Sequence, residues 1–249
     1  MKTLFLAWQD QIKTRAWYPI GRLDANPSKP SYRFCYIRGA EKAHREAGFE
    51  PLDSFPNFHA RYEDKDLFPL FRNRLVAQGR VDFAEYVERL GLTPATADPM
   101  EILAVSEGTR QTDNLEVFPR IQRHHDGTFC CHFFLHGWRH VSGPAQERIR
   151  GLRPGDPLRI AVELNNPVTI VAVQIETPDD YLVIGWTPRY LIRDLVRTID
   201  ESPLAVSSTV VRLNPEPAPS RQRVLVELRG QWPAHYKPMD TPEFHPLIT

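Results

Sequence analysis

The spacing of apolar residues changes character partway along this chain of 249 residues. In the first part, Leu4 to Trp8, Trp17 to Leu23 and Tyr32 to Ile37 are short runs rich in aromatic and β-branched side chains. Asp10-Gln11 and Asn26-Pro27-Ser28-Lys29-Pro30 separate them, which predicts an antiparallel meander. Arg38 to Ala47 sets Ala40, Ala43 and Ala47 among charges and stops at Gly48, the pattern of a helix and its C-terminal cap. Apolar residues then recur three and four apart, as Leu67, Leu70, Phe71 and Leu75 and as Phe83, Val87 and Leu90, which predicts helices over 64–75 and 82–90. Thr93 to Pro99 is rich in Thr, Pro, Ala and Asp and reads as a linker, followed by short strands at Met100 to Val105 and Leu115 to Pro119. Beyond Arg120 the pattern is that of strands, at Thr128 to Trp138, Leu158 to Leu164, Val168 to Glu176, Tyr181 to Gly185, Val206 to Leu213 and Arg223 to Leu228. Helices at Pro144 to Gly151 and Pro188 to Thr198 interrupt them; the second shows Leu191, Ile192, Leu195 and Val196 on one face.

These elements predict an α+β protein in four parts. Residues 1–93 form a mixed strand and helix module, 94–119 a linker with short strands, 120–231 a small β-barrel of the OB or SH3 kind with two short helices, and 232–249 an extended tail held by its aromatics. The length suits one large domain or two small ones. With 41% hydrophobic and 25% charged residues the composition is that of a soluble protein, and 23 prolines against 13 glycines fit short strands and ordered loops. The opening Lys2-Thr3-Leu4-Phe5-Leu6-Ala7-Trp8 is too short an apolar run for a signal peptide and reads as a first strand. No apolar run approaches the roughly 20 residues that cross a bilayer, so no membrane partner is expected. Three cysteines, two of them adjacent, make no disulfide framework, which fits a cytoplasmic protein.

Charge narrows the function. The formal net charge is zero, so the chain as a whole does not attract phosphate, and a nucleic-acid site must be a local basic patch. Of the 31 basic residues 25 are arginine, the side chain suited to bidentate phosphate contact and base stacking.

Four ordered motifs add a resemblance. Gly137-Trp138-Arg139-His140, Leu152-Arg153-Pro154-Gly155-Asp156, Glu163-Leu164-Asn165-Asn166-Pro167 and Ile184-Gly185-Trp186-Thr187-Pro188-Arg189-Tyr190-Leu191 follow one another as in a HIRAN domain. The resemblance spans residues 128–230 and implies a small barrel that grips single-stranded DNA or DNA ends. In DNA-binding members the loop matching Gly137 to Gly143 supplies an arginine and aromatics, which implies roles for Arg139 and for His140, the latter standing where the family has tyrosine. The Asn-Asn-Pro turn is kept as Asn165, Asn166 and Pro167. The aromatic and aspartate that follow it in the family, and that read the 3′ end, are here Val168 and Thr169. Gly185 and Arg189 match, Trp186 replaces a DNA-contacting histidine, and Leu213 replaces a stacking phenylalanine. The implied site is therefore Arg139 and Arg189 on phosphates, Asn165 and Asn166 at the turn, and Trp186, His140 and Tyr190 as stacking surfaces.

The amino-terminal region resembles the first subdomain of HipA-type toxin kinases, through Gly21-Arg22-Leu23, Tyr32-Arg33-Phe34-Cys35-Tyr36, Pro51-Leu52, Phe55-Pro56 and the run Leu67 to Leu75. It implies a protein-interaction module that docks a HipA-type kinase or another toxin–antitoxin or defence partner. No glycine-rich phosphate loop or catalytic Asp-to-Asn motif follows, so no enzymatic activity is expected. End to end, the chain resembles bacterial stand-alone HIRAN proteins.

Other chemistry is set aside. Cys130, His132, His136 and His140 would share one strand face, but residues four apart on a strand lie about 13 Å apart, too far for one zinc ion, so no metal or other cofactor is assigned. The adjacent cysteines carry no signature of a Cys-His nucleophile. Glu63, Asp64 and Asp66 read as N-terminal charges of a helix, and Ser106 to Arg110 as a surface turn.

Overall fold

The expected meander forms: β1 (Lys2–Gln9), β2 (Trp17–Ala25) and β3 (Tyr32–Tyr36) pair antiparallel in sequence order, followed by α1 (Arg38–Ala47) and β4 (Arg61–Asp64). The computed structural model describes residues 2–26 and 31–248; of the turn expected at Asn26 to Pro30, residues 27–30 lie outside it. α2 (Pro69–Arg72), α3 (Phe83–Arg89), α4 (Pro99–Ser106) and β5 (Leu115–Pro119) follow, and β5 pairs with β1. The five-stranded sheet has the order β4-β3-β2-β1-β5. α1 lays Ala40, Ala43 and Ala47 on its buried face, and the core between them is aromatic. Phe34 stacks on Phe55 at 3.9 Å, while the Tyr36 hydroxyl donates to Phe55 O at 2.8 Å and accepts from Leu52 N at 2.7 Å.

Four expectations in this half are corrected. The helix expected over 64–75 is a single turn, because Pro69 cannot donate within a helix begun upstream; Phe68 before it is extended, and Asp64 ends β4. Glu63 and Asp64 consequently lie on a strand, where Glu63 accepts from Arg33 Nε at 2.7 Å. The strand expected at Met100 to Val105 is helix α4, started by a capping box: the Asp98 carboxylate accepts from Met100 N and Glu101 N, Glu101 reaches back to Asp98 N, and Pro99 occupies the first turn. The Ser106 to Arg110 turn is sunk around the buried Arg74, whose guanidinium donates to Gly108 O at 2.8 Å and to Asp113. Within residues 94–119 the strand expected at Leu115–Pro119 forms as β5 of the first sheet, while Pro99–Ser106 is helix.

The second half is a barrel. β6 (Thr128–Phe134), α5 (Gly143–Arg150), β7 (Pro157–Asn166), β8 (Ile170–Glu176), β9 (Val183–Trp186), α6 (Ile192–Glu201), β10 (Val206–Leu213) and β11 (Val224–Gln231) give an antiparallel sheet of order β6-β11-β10-β7-β8-β9. His136, just beyond β6, bridges to Trp186 at the end of β9, so the first and last strands of that order meet. Closure of this kind removes sheet edges. β6 is shorter than expected; Gly137 takes a left-handed conformation and Trp138–His140 form a 3₁₀ turn. Along β6 the side chains alternate as expected, Phe129, Cys131 and Phe133 buried and Cys130 exposed.

The chain divides into two compact units, one of Met1–Val87, Leu92–Arg120 and Met239–Thr249, the other of Glu88–Gly91 and Ile121–Pro238. The tail is therefore shared. Trp232 stacks on Phe129 in the second unit, whereas Phe244 packs on Phe5 and Pro246 bridges to Ile37 in the first. Among the described residues no helix is long and apolar enough to cross a membrane.

Candidate nucleic-acid interface

Three segments distant in sequence meet at one end of the barrel. Gln174 lies opposite Trp186, so β9 ends beside the second half of β8, and the Trp186 side chain reaches Glu163, three residues before the Asn166 of the β7–β8 turn. The chain leaving β6 reaches the same end, because His136 and Trp186 exchange backbone hydrogen bonds of 3.0 and 2.9 Å. The barrel therefore carries the expected residues on three neighbouring loops: Arg139 and His140 between β6 and α5, Asn165 and Asn166 in the β7–β8 turn, and Trp186, Arg189 and Tyr190 where β9 ends.

At the centre is Glu163, which is absent from the sequence-derived candidates. Its Oε2 accepts from Trp186 Nε1 at 2.6 Å and from Asn166 Nδ2 at 2.9 Å. Asn166 is fully engaged, since its Oδ1 also accepts from Val168 N, Thr169 N and the Thr169 hydroxyl at 3.0, 3.1 and 3.2 Å. It shapes the turn. Asn165 is exposed, in a left-handed conformation. The Trp186 ring lies against Gly137, where an added Cβ would come within 2.6 Å of it. Trp186 is thereby fixed on edge and face, half-exposed, as a rigid surface.

The loop after β6 is anchored twice. Trp138 Nε1 donates to Ser220 O at 2.7 Å, and Gln146 Nε2 donates to Arg139 O and Val141 O, each at 3.1 Å. These bonds hold the backbone of Arg139 and His140 while their side chains stay exposed. Arg189 and Tyr190, on the 3₁₀ turn Arg189–Leu191, are half-buried. The hairpin tip beside them is apolar and exposed at Leu164, Val168 and Ile170.

Burial works to raise the Glu163 pKa, but the hydrogen bonds from Trp186, Asn166 and Gln174 outweigh it and hold the carboxyl below its ordinary value of 4.5. A depressed pKa stabilises the fold above the ordinary value and ceases to do so as pH falls through the native one. Acid titration is therefore expected to shift Trp186 emission in the wild type at a pH below the ordinary carboxyl value of 4.5, and Glu163→Gln is expected to abolish that step. An unchanged step in the variant would assign it to another carboxyl.

The family model of the HIRAN domain matches residues 128–232. A crystal structure of a protein from Lactobacillus plantarum is similar at 17% identity, covering 43% of this chain and all of its own length with a TM-score of 0.31. No curated protein matches. No match supports the HipA likeness of the amino-terminal region.

Proposed function

We propose, from the premise that residues 128–232 are a HIRAN domain, that this barrel is a non-enzymatic module binding single-stranded DNA or DNA ends. The observation that carries the reading is that the matched residues converge on three adjacent loops at one barrel end. Arg139, exposed on an anchored loop, and Arg189 contact phosphates; Trp186, His140 and Tyr190 offer faces to bases; Asn165 and Asn166 form the turn between them. Stacking on such faces is worth about 1 to 3 kcal/mol per base, while the cations set register without reading sequence. Val168 and Thr169 carry neither the ring nor the carboxylate that reads a 3′ hydroxyl in DNA-binding relatives, so a free 3′ end and a 3′ phosphate are bound alike.

The test is fluorescence anisotropy of labelled oligonucleotides, single-stranded with a 3′ hydroxyl, single-stranded with a 3′ phosphate, and duplex, across a salt series. Each phosphate neutralised on a single strand contributes about −0.7 to the slope of log affinity against log salt, so Arg139 and Arg189 together give about −1.4 and Arg139→Ala about −0.7. Arg139 is exposed, so the variant keeps its fold. Salt-independent binding, or none, overturns the reading.

A second reading has one observation behind it. Leu164, Val168 and Ile170, at 70, 85 and 76% exposure, form an apolar tip where a phosphate-binding surface has no use for one. It favours docking of a protein partner at this tip and predicts a complex recovered by pull-down that Val168→Asp disrupts.

A further inference from the structure

On the outer face of the barrel, Cys130 and His132 stand two residues apart on β6, and Glu227 lies directly opposite His132 on β11. We propose that Cys130 Sγ, His132 Nε2 and Glu227 Oε2 form a zinc-binding site, separate from the three loops of the nucleic-acid reading and independent of it.

The distances carry the proposal. The three ligand atoms lie within 4.8 Å of one another. Cys130 Sγ is 3.4 Å from Glu227 Oε2, and His132 Nε2 is 3.1 Å from the same oxygen. A tetrahedral zinc ion with bonds of about 2.3 Å to sulfur and about 2.0 Å to nitrogen and oxygen needs edges of about 3.5 Å and 3.3 Å between those pairs. Both pairs that share Glu227 Oε2 are thus spaced for the ion, and Cys130 Sγ and His132 Nε2, within 4.8 Å of each other, have to settle at about 3.5 Å. One thiolate, one imidazole and one carboxylate suit zinc better than the hard cations, which select oxygen alone. Binding replaces the Cys130 thiol proton by a sulfur–zinc bond and releases the proton to water.

The surroundings permit entry. Opposite Cys130 on β11 is Arg229, which donates to Glu227 Oε1 at 2.5 Å through Nε and to Oε2 at 3.0 Å through Nη2. Its side chain is 67% exposed, so Nη2 can leave Oε2 to the ion while Nε continues to orient the carboxylate through Oε1. Cys130 and Arg229 also border an open groove with Leu204, Ala205 and Ser207. Three protein ligands leave the fourth position for water or an incoming group. The sequence pattern that ruled zinc out placed His136 and His140 on the same row. The structure removes both, since β6 ends at Phe134, and brings Glu227 from 95 residues away.

The test is titration of the reduced full chain with Co²⁺, reading the sulfur-to-cobalt charge-transfer band in the near ultraviolet, then displacement by Zn²⁺. One equivalent is expected to saturate the band. Cys130→Ser is expected to remove it, and His132→Ala and Glu227→Gln to weaken binding at least tenfold; each variant's far-ultraviolet circular dichroism is compared with the wild type. His124→Ala with His125→Ala, in the neighbouring loop, is expected to leave the band unchanged. Absence of a band at one equivalent, or a band that survives Cys130→Ser or vanishes with the His124/His125 pair, overturns the site.

Discussion

Gly185→Ala lowers the stability of the barrel by about 3 kcal/mol or more, read as a fall of roughly 1 to 3 M in the urea midpoint of the second unit. Gly185 lies in β9 with φ +156°, and a Cβ built there sits 2.6 Å from His136 O and 2.6 Å from Leu135 Cγ. His136 O is no bystander. It accepts the 2.9 Å bond from Trp186 N that, with its 3.0 Å partner, joins the first strand of the sheet order to the last. The added carbon must push that backbone away: the Leu135 side chain, with Cδ1 at 3.0 Å, can turn aside, but His136 O is fixed in the chain. Overpacking costs about 1 to 3 kcal/mol, and each backbone hydrogen bond lost at the seam adds about 1 kcal/mol. Gly143→Ala is the control: a Cβ there meets nothing within 4 Å, so the midpoint should stay within experimental error. Gly137→Ala should fall between, since its neighbour at 2.6 Å is the Trp186 ring, which can tilt at the expense of its bond to Glu163. If Gly185→Ala unfolds with the wild type, the seam does not contribute to the stability of the barrel.

Much of the fold was legible because it follows from short-range chemistry. β1, β2, β3, α1, α3 and β10 appear within a few residues of their expected bounds, each marked by apolar periodicity and a terminating turn or glycine. Two errors had signals in the sequence that were outweighed. Pro69 inside the Leu67 to Leu75 run argued against a continuous helix, and Asp98-Pro99 with Glu101 is a capping box that argued for one. The apolar run Ile102, Leu103, Ala104, Val105 reads equally as a buried strand or a buried helix, and the cap decides. The site divides the same way. Arg139, His140, Trp186 and Arg189 enter the proposed interface through ordered motifs, and the antiparallel register brings their loops near one another in the barrel. Glu163 and Glu227 could not be found, because a glutamate on an alternating strand is indistinguishable from a solvated one until its cross-strand neighbours are known. Register puts Trp186 and Asn166 within reach of the first and His132 opposite the second. Net charge likewise said nothing of where the arginines go: Arg74 is spent inside the first unit on Asp113, while Arg139 is left outside.

Trp232→Ala is expected to cost the second unit about 3 to 5 kcal/mol, and Trp232→Phe far less, even though both remove the same indole. Trp232 follows β11 as the first residue of the segment expected to be an extended tail, and only 2% of it is exposed. Its ring stacks on Phe129 at 3.9 Å and 20°, and Tyr236 packs against it, tilted, at 5.8 Å. The backbone holds it as well, Trp232 N donating to Gly127 O at 3.0 Å. Truncation to alanine removes about ten atoms from a closed site and leaves a cavity against Phe129, which cannot collapse while β6 is paired along its length with β11. The indole N–H offsets part of what the ring contributes, because Nε1 is buried and meets no acceptor among the described residues. An unsatisfied donor of that kind costs about 1 to 3 kcal/mol, and phenylalanine removes it while keeping a flat face on Phe129. Urea unfolding followed by near-ultraviolet circular dichroism separates the two variants. Equal losses in both would mean that Nε1 is satisfied in solution; no loss in either would mean that the ring is not packed. The intermediate result, a large loss for alanine and a small one for phenylalanine, makes residues 232–238 a part of the barrel's own core, so a fragment of the second unit truncated at Gln231 should unfold where one ending at Pro238 does not.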